Sequence, residues 1–406
     1  TKGWEYPLSE ADALWKKLLL HQFHDILPGS SIARVYEEAE KALRDVLTDA
    51  DKLAEGSAKA LTDQSAGEAV TVFNSLGFAR KELVSLPECF ATGAETADGE
   101  PIPVQAAQGT VKALVTIPSC GAVTLVPCET AGRLPEGASI AVTEDGYRME
   151  NALIAAEINR NGEVTSFVLK ESGREFAASP MNQFRMYKDV PRMFDAWDID
   201  SNYVDQEVEA AADITMEILA EGLEAVLRVK GRIGSSFYTQ DIRLRADSRR
   251  LEFETEIDWR ELHRLLKTVF PVDVYAENGI NEIQFGYVER PAHRSRQYDK
   301  DRFEVCNHRY SALCDGSHGA AVLNDCKYGI SMNANALELT LLRAAASPEM
   351  RADNKIHRFT YGFTAWEGSF TDSDVVRQGY ELNVKPLITA GSTKTFRAVQ
   401  VEKENV

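Results

Sequence analysis

No Cys-x-x-Cys pair, no Asn-x-Ser/Thr sequon, no block of Lys or Arg and no bilayer-length apolar run occurs in this chain of 406 residues. Each absence removes a class of protein. Cys89, Cys120, Cys128, Cys306, Cys314 and Cys326 are sparse for the length and fit reduced structural thiols better than a disulfide framework. Without a membrane-length segment or glycosylation sequon, the expectation is a cytoplasmic protein with no membrane partner. The shortage of positive charge, 45 basic against 63 acidic residues for a net charge of -18, argues against nucleic acid or an anionic surface as partner. A neutral ligand such as a sugar is indifferent to that field. Gly-rich phosphate loops, Gly-x-Ser-x-Gly elbows and a convincing Ser-His-Asp series are missing as well.

The length that is present suits two or three domains, each with its own core. Ser9-Glu10-Ala11-Asp12 resembles a capping box, and Leu14, Trp15, Leu18, Leu19 and Phe23 follow at helical spacing. Pro28 disfavours helical geometry before it, so this helix is expected to end near Asp25 to Leu27. Ser30 or Ser31 can cap a second helix with an apolar stripe from Ile32 through Val46 to Leu53. Residues 1–65 thus read as a helical hairpin, which cannot bury both its faces alone and should dock on something else.

From Ala69 the period becomes alternating. Short strands such as Val70 to Asn74, Glu82 to Pro87, Val111 to Val115 and Val123 to Val126 predict a small antiparallel sandwich over 66–135. Beyond the Gly- and Pro-containing linker of residues 130–137, alternating strands dominate and predict a large antiparallel two-sheet sandwich over 136–406. The expected fold class is therefore mainly β with an N-terminal helical hairpin.

Three groups of residues offer chemistry. His21 and His24, three apart on a helix, could share a metal, while the plainer account is two polar residues at a helix C-terminus, where a cationic imidazole is favoured. Asp198, Asp200, Asn202 and Glu209 match calcium-loop spacing, but Tyr203 stands where the loop needs Gly, which rejects that reading. Asp195, Asp198 and Asp200, set among Phe194 and Trp197, fit the apolar faces and hydroxyl edges of a sugar as well as they fit a solvated loop. Cys306, His308, Cys314, His318 and Cys326 are enough soft ligands for zinc, but their spacings match no zinc pattern. The run Trp259 to Pro271 has no role assignable from chemistry.

Gln22 to Ile32, taken whole as Gln-Phe-His-Asp-Ile-Leu-Pro-Gly-Ser-Ser-Ile, resembles the helical-domain signature of glycoside hydrolase family 38, the alpha-mannosidases, in its bacterial and cytosolic subgroup. Val72 to Leu76, Asp189-Val190-Pro191, Asp195-Ala196-Trp197-Asp198, the run Trp259 to Pro271, Phe285 to Pro291 and His357 to Tyr361 are similar to the same subgroup in the same order. The resemblance implies a galactose-mutarotase-like large sandwich and a retaining exo-alpha-mannosidase acting on mannose-containing oligosaccharides. It further implies one zinc ion that holds vicinal hydroxyls of the terminal mannose, with one carboxylate as nucleophile and a second as acid and base.

Carried over by position, His24 is a zinc ligand and Asp25 a substrate contact, whereas His21 matches no ligand. The resemblance also implies that the Asp195 to Asp198 loop contributes to the sugar site, with Asp195 and Asp198 as substrate contacts. The family's other zinc ligands, nucleophile and acid/base lie on a preceding barrel, so the chain is expected to be a piece without catalytic residues, clipped near Val399 to Val406 and inactive alone. A homo-oligomer stays open. The rival reading is a non-catalytic carbohydrate-binding or scaffold sandwich, and the plainest a purely structural piece.

Overall fold

The computed structural model describes residues 4–107, 109–130, 132–133, 136–208 and 211–399. The chain divides into two compact units, one made of residues 1–135 with 384–406 and the other of residues 136–383.

The first unit opens with helix α1 (Leu8–Leu20) and helix α2 (Ala33–Leu61). The expected caps do not form. Ser9 donates its hydroxyl to Glu10 rather than to a backbone amide, Pro7 stands at the start of α1, and Ile32 stands at the start of α2. α1 also stops earlier than Pro28 alone would require, at Leu20, and residues 21–29 form successive turns. Helix α2 buries Ala39, Val46 and Ala58, but α1 buries nothing. Leu8, Trp15, Leu19 and Leu20 are each more than half exposed while Leu14 and Leu18 are partly buried, so only part of the stripe read from the sequence is covered along α1.

The small sandwich packs two antiparallel sheets over Val72, Phe90, Val115, Ile117 and Leu125. One is the three-stranded sheet Arg80–Leu86, Thr110–Ile117, Val104–Ala107. The other runs Leu387–Ala390, Val70–Asn74, Gly121–Pro127, Ala94–Thr96, Pro101–Ile102, with Phe396–Arg397 added to Gly121–Pro127. Two of these strands come from the far end of the chain, which corrects the expectation of a single large domain over 136–406. The reason is hydrogen bonding. Val70–Asn74 needs a partner on each edge, and the returning strand supplies one, with Val70 opposite Ala390 and Phe73 opposite Leu387. Inside this seam the fully buried Thr71 hydroxyl contacts that of Thr124 at 2.8 Å and reaches the Gly391 carbonyl at 2.8 Å, while Thr124 reaches the Thr393 carbonyl at 2.8 Å.

The second unit is the large sandwich. Among the described residues its strands form a nine-stranded and two five-stranded sheets, all with antiparallel pairing. A single core joins residues of all three sheets, among them Phe167, Phe253, Phe270 and Leu339. At its centre Phe253 stacks on Tyr361 with ring centroids 5.0 Å apart, and Phe270 on Phe363 at 5.5 Å. The Tyr361 hydroxyl donates to Asn182 at 2.6 Å and accepts from Gln240 at 2.8 Å, so the one polar atom of that ring cluster is satisfied.

Removing the chain after Asn383 strips the first sheet of an edge strand. Amide exchange in residues 70–74 should rise by orders of magnitude while residues 251–258 stay protected, and unchanged protection at Val72 would refute this account.

Candidate functional site

His24 lies in the turns that separate α1 from α2, and the i, i+3 helical pairing with His21 does not exist because both residues are past the helix. His21 instead turns its Nδ1 to the Lys17 carbonyl at 2.7 Å. The His24 side chain is 67 % exposed, with Nε2 3.4 Å from the Asp25 carboxylate and its ring 4.2 Å from that of Phe23. The turn is held from behind. Ser31 donates its hydroxyl to the Asp25 carbonyl at 2.6 Å, and Tyr36 donates to the Gly29 carbonyl. Gly29 has φ +72, a conformation that side chains rarely adopt, which is what the Pro-Gly break requires. The imidazole and carboxylate therefore face solvent from a backbone fixed by its own side of the molecule.

Asp195 and Asp198 lie in the second unit on residues 189–200, a loop that folds against strands Arg264–Pro271 and Ala336–Arg343. The guanidinium of Arg343 organises it. Its Nε donates to Asp189 Oδ2 at 2.7 Å, and its Nη atoms donate to the carbonyls of Asp195 at 3.2 Å, Ala196 at 3.4 Å and Asp198 at 2.6 Å. The Asp189 side chain is 2 % exposed, so its carboxylate sits almost wholly out of water against a part-buried guanidinium. Asp195 is drawn inward too: its Oδ2 accepts the Ala346 amide at 2.6 Å and lies 3.1 Å from His263 Nε2. Asp200 accepts the Arg192 amide at 3.1 Å.

Just beyond, the short helix Ser201–Asp205 buries Tyr203, whose hydroxyl donates to Glu304 at 2.6 Å, and Glu304 also pairs with the fully buried Lys267. Burial, with the Glu304 charge beside it, pushes the Tyr203 hydroxyl above its ordinary range, which favours its role as donor.

Sequence reading named Asp195 and Asp198 but missed Arg343 and could give His263 no role, because their partners lie 148 and 68 residues away along the chain. The loop itself does contain one signal, a non-glycine residue, Phe194, at φ +55, but φ is not legible in sequence. The rejected calcium pattern ends at Glu209, outside the described residues. The His and Cys residues between 306 and 326 build no cluster: His318 is spent on Asp315 at 3.1 Å and the Asp273 carbonyl at 3.1 Å, and the six cysteines are free. Among the described residues no group of three or more His, Cys, Asp or Glu side chains could hold a metal ion, and no helix is long and apolar enough to cross a membrane.

The same architecture occurs in a solved alpha-mannosidase from Enterococcus faecalis V583, with a TM-score of 0.76 over 96% of this chain and 54% of that one at 16% identity, a likeness of fold alone. The family follows from sequence. Residues 149–351 match the glycosyl hydrolases family 38 C-terminal domain and residues 1–61 the alpha mannosidase middle domain, and the chain belongs to family 38. It is 35% identical over 396 residues to human Alpha-mannosidase 2C1 and 27% identical over 393 residues to Alpha-mannosidase of Saccharomyces cerevisiae. Those alignments cover 93% and 94% of this chain but 36% and 33% of the relatives, so the chain spans about a third of their length.

Asp189→Ala leaves the Arg343 guanidinium half-buried without its carboxylate. It should cost about 3 kcal/mol of unfolding free energy of the second unit, read by chemical denaturation, and a loss under about 0.5 kcal/mol would show that the pair does not anchor the loop.

Proposed function

We propose that this chain is the helical and β-sandwich portion of a zinc-dependent, retaining exo-alpha-mannosidase that removes terminal alpha-mannosyl residues from oligosaccharides in the cytoplasm. The observation that carries the reading is the match of residues 1–61 to the alpha mannosidase middle domain, since that segment contains His24 and Asp25. Their placement supports it. Both side chains stand on a rigid turn and face outward, next to a helix whose apolar residues Trp15, Leu19 and Leu20 remain uncovered. A domain seated there would cover that face and bring its own groups to His24.

A zinc site of this kind takes four ligands, and the described residues supply no group of three. His24 fits as one ligand and the chain alone does not complete the site. When bound, zinc orients hydroxyls and offsets developing negative charge. Asp25, 41 % exposed, keeps a carboxylate beside the imidazole that can orient the ring or accept a sugar hydroxyl. The nucleophile and acid/base that a retaining mechanism requires belong to residues outside this chain. The 406-residue chain by itself is therefore inactive.

The test compares this chain with the longer protein that contains a preceding barrel, using an aryl alpha-mannoside. The longer protein should turn over substrate and this chain should not, even with zinc added. In the longer protein His24→Ala should lower zinc content and reduce kcat/KM by about a hundredfold or more. Turnover by the short chain, or unchanged zinc content in the variant, would count against the reading.

A further inference from the structure

Away from the loop of residues 189–200, the large sandwich holds a cavity of about 70 Å³. It opens between the turn that carries Glu163, strand Gln183–Lys188 and the strands Ala211–Ala220, Glu224–Ile233 and Ser236–Arg245. A bulge shapes one wall: the pairing of Ala211–Ala220 with its neighbour shifts register between Ala212 and Thr215, and Asp213 there has φ +56. Phe184, Ile214 and Val229 make the apolar side of the cavity. The other side is polar, and part of it is already committed. Asn182 donates to the Gly162 carbonyl at 3.1 Å and to Gln240 Oε1 at 2.8 Å, and Gln240 donates to the Tyr361 hydroxyl at 2.8 Å.

Tyr238 and Glu163 have capacity left. Tyr238 is 4 % exposed and lines the cavity, yet its hydroxyl makes no hydrogen bond among the described residues. A buried hydroxyl without a partner is costly, and a phenylalanine would fill the same place without that cost. The ring is nevertheless given its position: a Cβ on Gly231, opposite it across the strands, would stand 2.6 Å from Tyr238 Cε1, and the Phe184 ring meets it edge-on at 5.1 Å. Burial first, and the Glu163 charge second, push the hydroxyl up to about 12, so it stays protonated at neutral pH. Glu163 accepts from Asn159 Nδ2 at 2.7 Å and Gln183 Nε2 at 3.1 Å, two neutral amides, and no Lys or Arg among the described residues pairs with it. The cavity is bordered by one uncompensated negative charge, one uncommitted hydroxyl and an apolar wall.

We propose that this cavity binds a small primary ammonium, with the Glu163 carboxylate taking the charge, the Tyr238 hydroxyl oxygen accepting a second N–H, and a short alkyl group against Phe184, Ile214 and Val229. The space suits a ligand of about one to three carbons, since it holds a few waters and no more. Charge decides the class: the carboxylate repels anions, and a neutral alcohol leaves it uncompensated. A bare inorganic cation would need oxygen ligands all round, where the cavity presents aromatic and aliphatic side chains on one side. An alkylammonium matches both halves, and its charge also gains from the neighbouring rings. The site stands whether or not the mannosidase reading does.

The test labels isoleucine δ1-methyl groups with 13C in the 406-residue chain, with Ile214→Val assigning the resonance at the cavity wall. Ethylammonium chloride, titrated at constant ionic strength, should shift the Ile214 signal saturably in the millimolar range. Ethanol, of similar size without the charge, and KCl should leave it in place. Glu163→Gln should weaken binding about tenfold or more. Tyr238→Phe removes only an unpartnered hydroxyl, so Tm should not fall while binding weakens about fivefold. An Ile214 signal that stays in place through tens of millimolar ethylammonium, or wild-type affinity in Glu163→Gln, overturns the site. An equal shift with ethanol or with KCl overturns the assignment to an ammonium, and decides the same point if Glu163→Gln does not fold. Wild-type affinity in Tyr238→Phe overturns the contact given to its hydroxyl.

Discussion

A carboxylate taken out of water has to keep its cation, and the Asp189–Arg343 pair imposes that constraint on the loop of residues 189–200 at the edge of the large sandwich. Arg343 ends strand Ala336–Arg343, so its position follows from the register of the sheet, Leu265 opposite Arg343 and Phe270 opposite Leu337. The register in turn follows from which residues of these strands reach the aromatic core. A guanidinium placed in this way has five donors in one plane, and the loop of residues 189–200 folds to meet them. The geometry of an irregular segment is thereby inherited from a regular one, and the side chains left outside it are presented by the core at one remove.

The units differ in how much of their surface they settle for themselves. The large sandwich closes its own core, with Trp259, Phe253 and Phe363 almost fully buried. The first unit completes the small sandwich but leaves α1 with an apolar face and no buried residue. Family 38 membership gives that asymmetry a setting, since the curated relatives are roughly three times as long as this chain. The turn bearing His24 and Asp25 lies at the end of the uncovered helix.

What the sequence made legible followed periodicity and local sterics. Alternation in Leu251 to Ile257 announced a half-buried strand, the 3.6-residue stripe announced α2, and Pro28-Gly29 announced a break between the two helices, although α1 ends at Leu20 and leaves His24 in a turn rather than on the helix. What stayed hidden was long-range. Nothing in Thr71 says that its hydroxyl will meet Gly391, nothing in Arg343 points to Asp189, and the capping pattern at Ser9 could not reveal that the hydroxyl would go to Glu10 instead. Of the candidate site, the histidine and the aspartates were visible as residue types in a familiar order. That Asp195 is drawn inward while Asp198 stays exposed was not, because it depends on which oxygen the Ala346 amide reaches.

The strand Leu387–Ala390 closes a sheet that begins at Val70, with the entire large sandwich threaded between the two. During synthesis the small sandwich thus stays open-edged for some 300 residues, at the pace of the ribosome, until Leu387–Ala390 emerges. By the time that strand has been made, every strand of the large sandwich has been made as well, and until then the exposed edge of Val70–Asn74 is a vacancy in which any other strand would be a competitor.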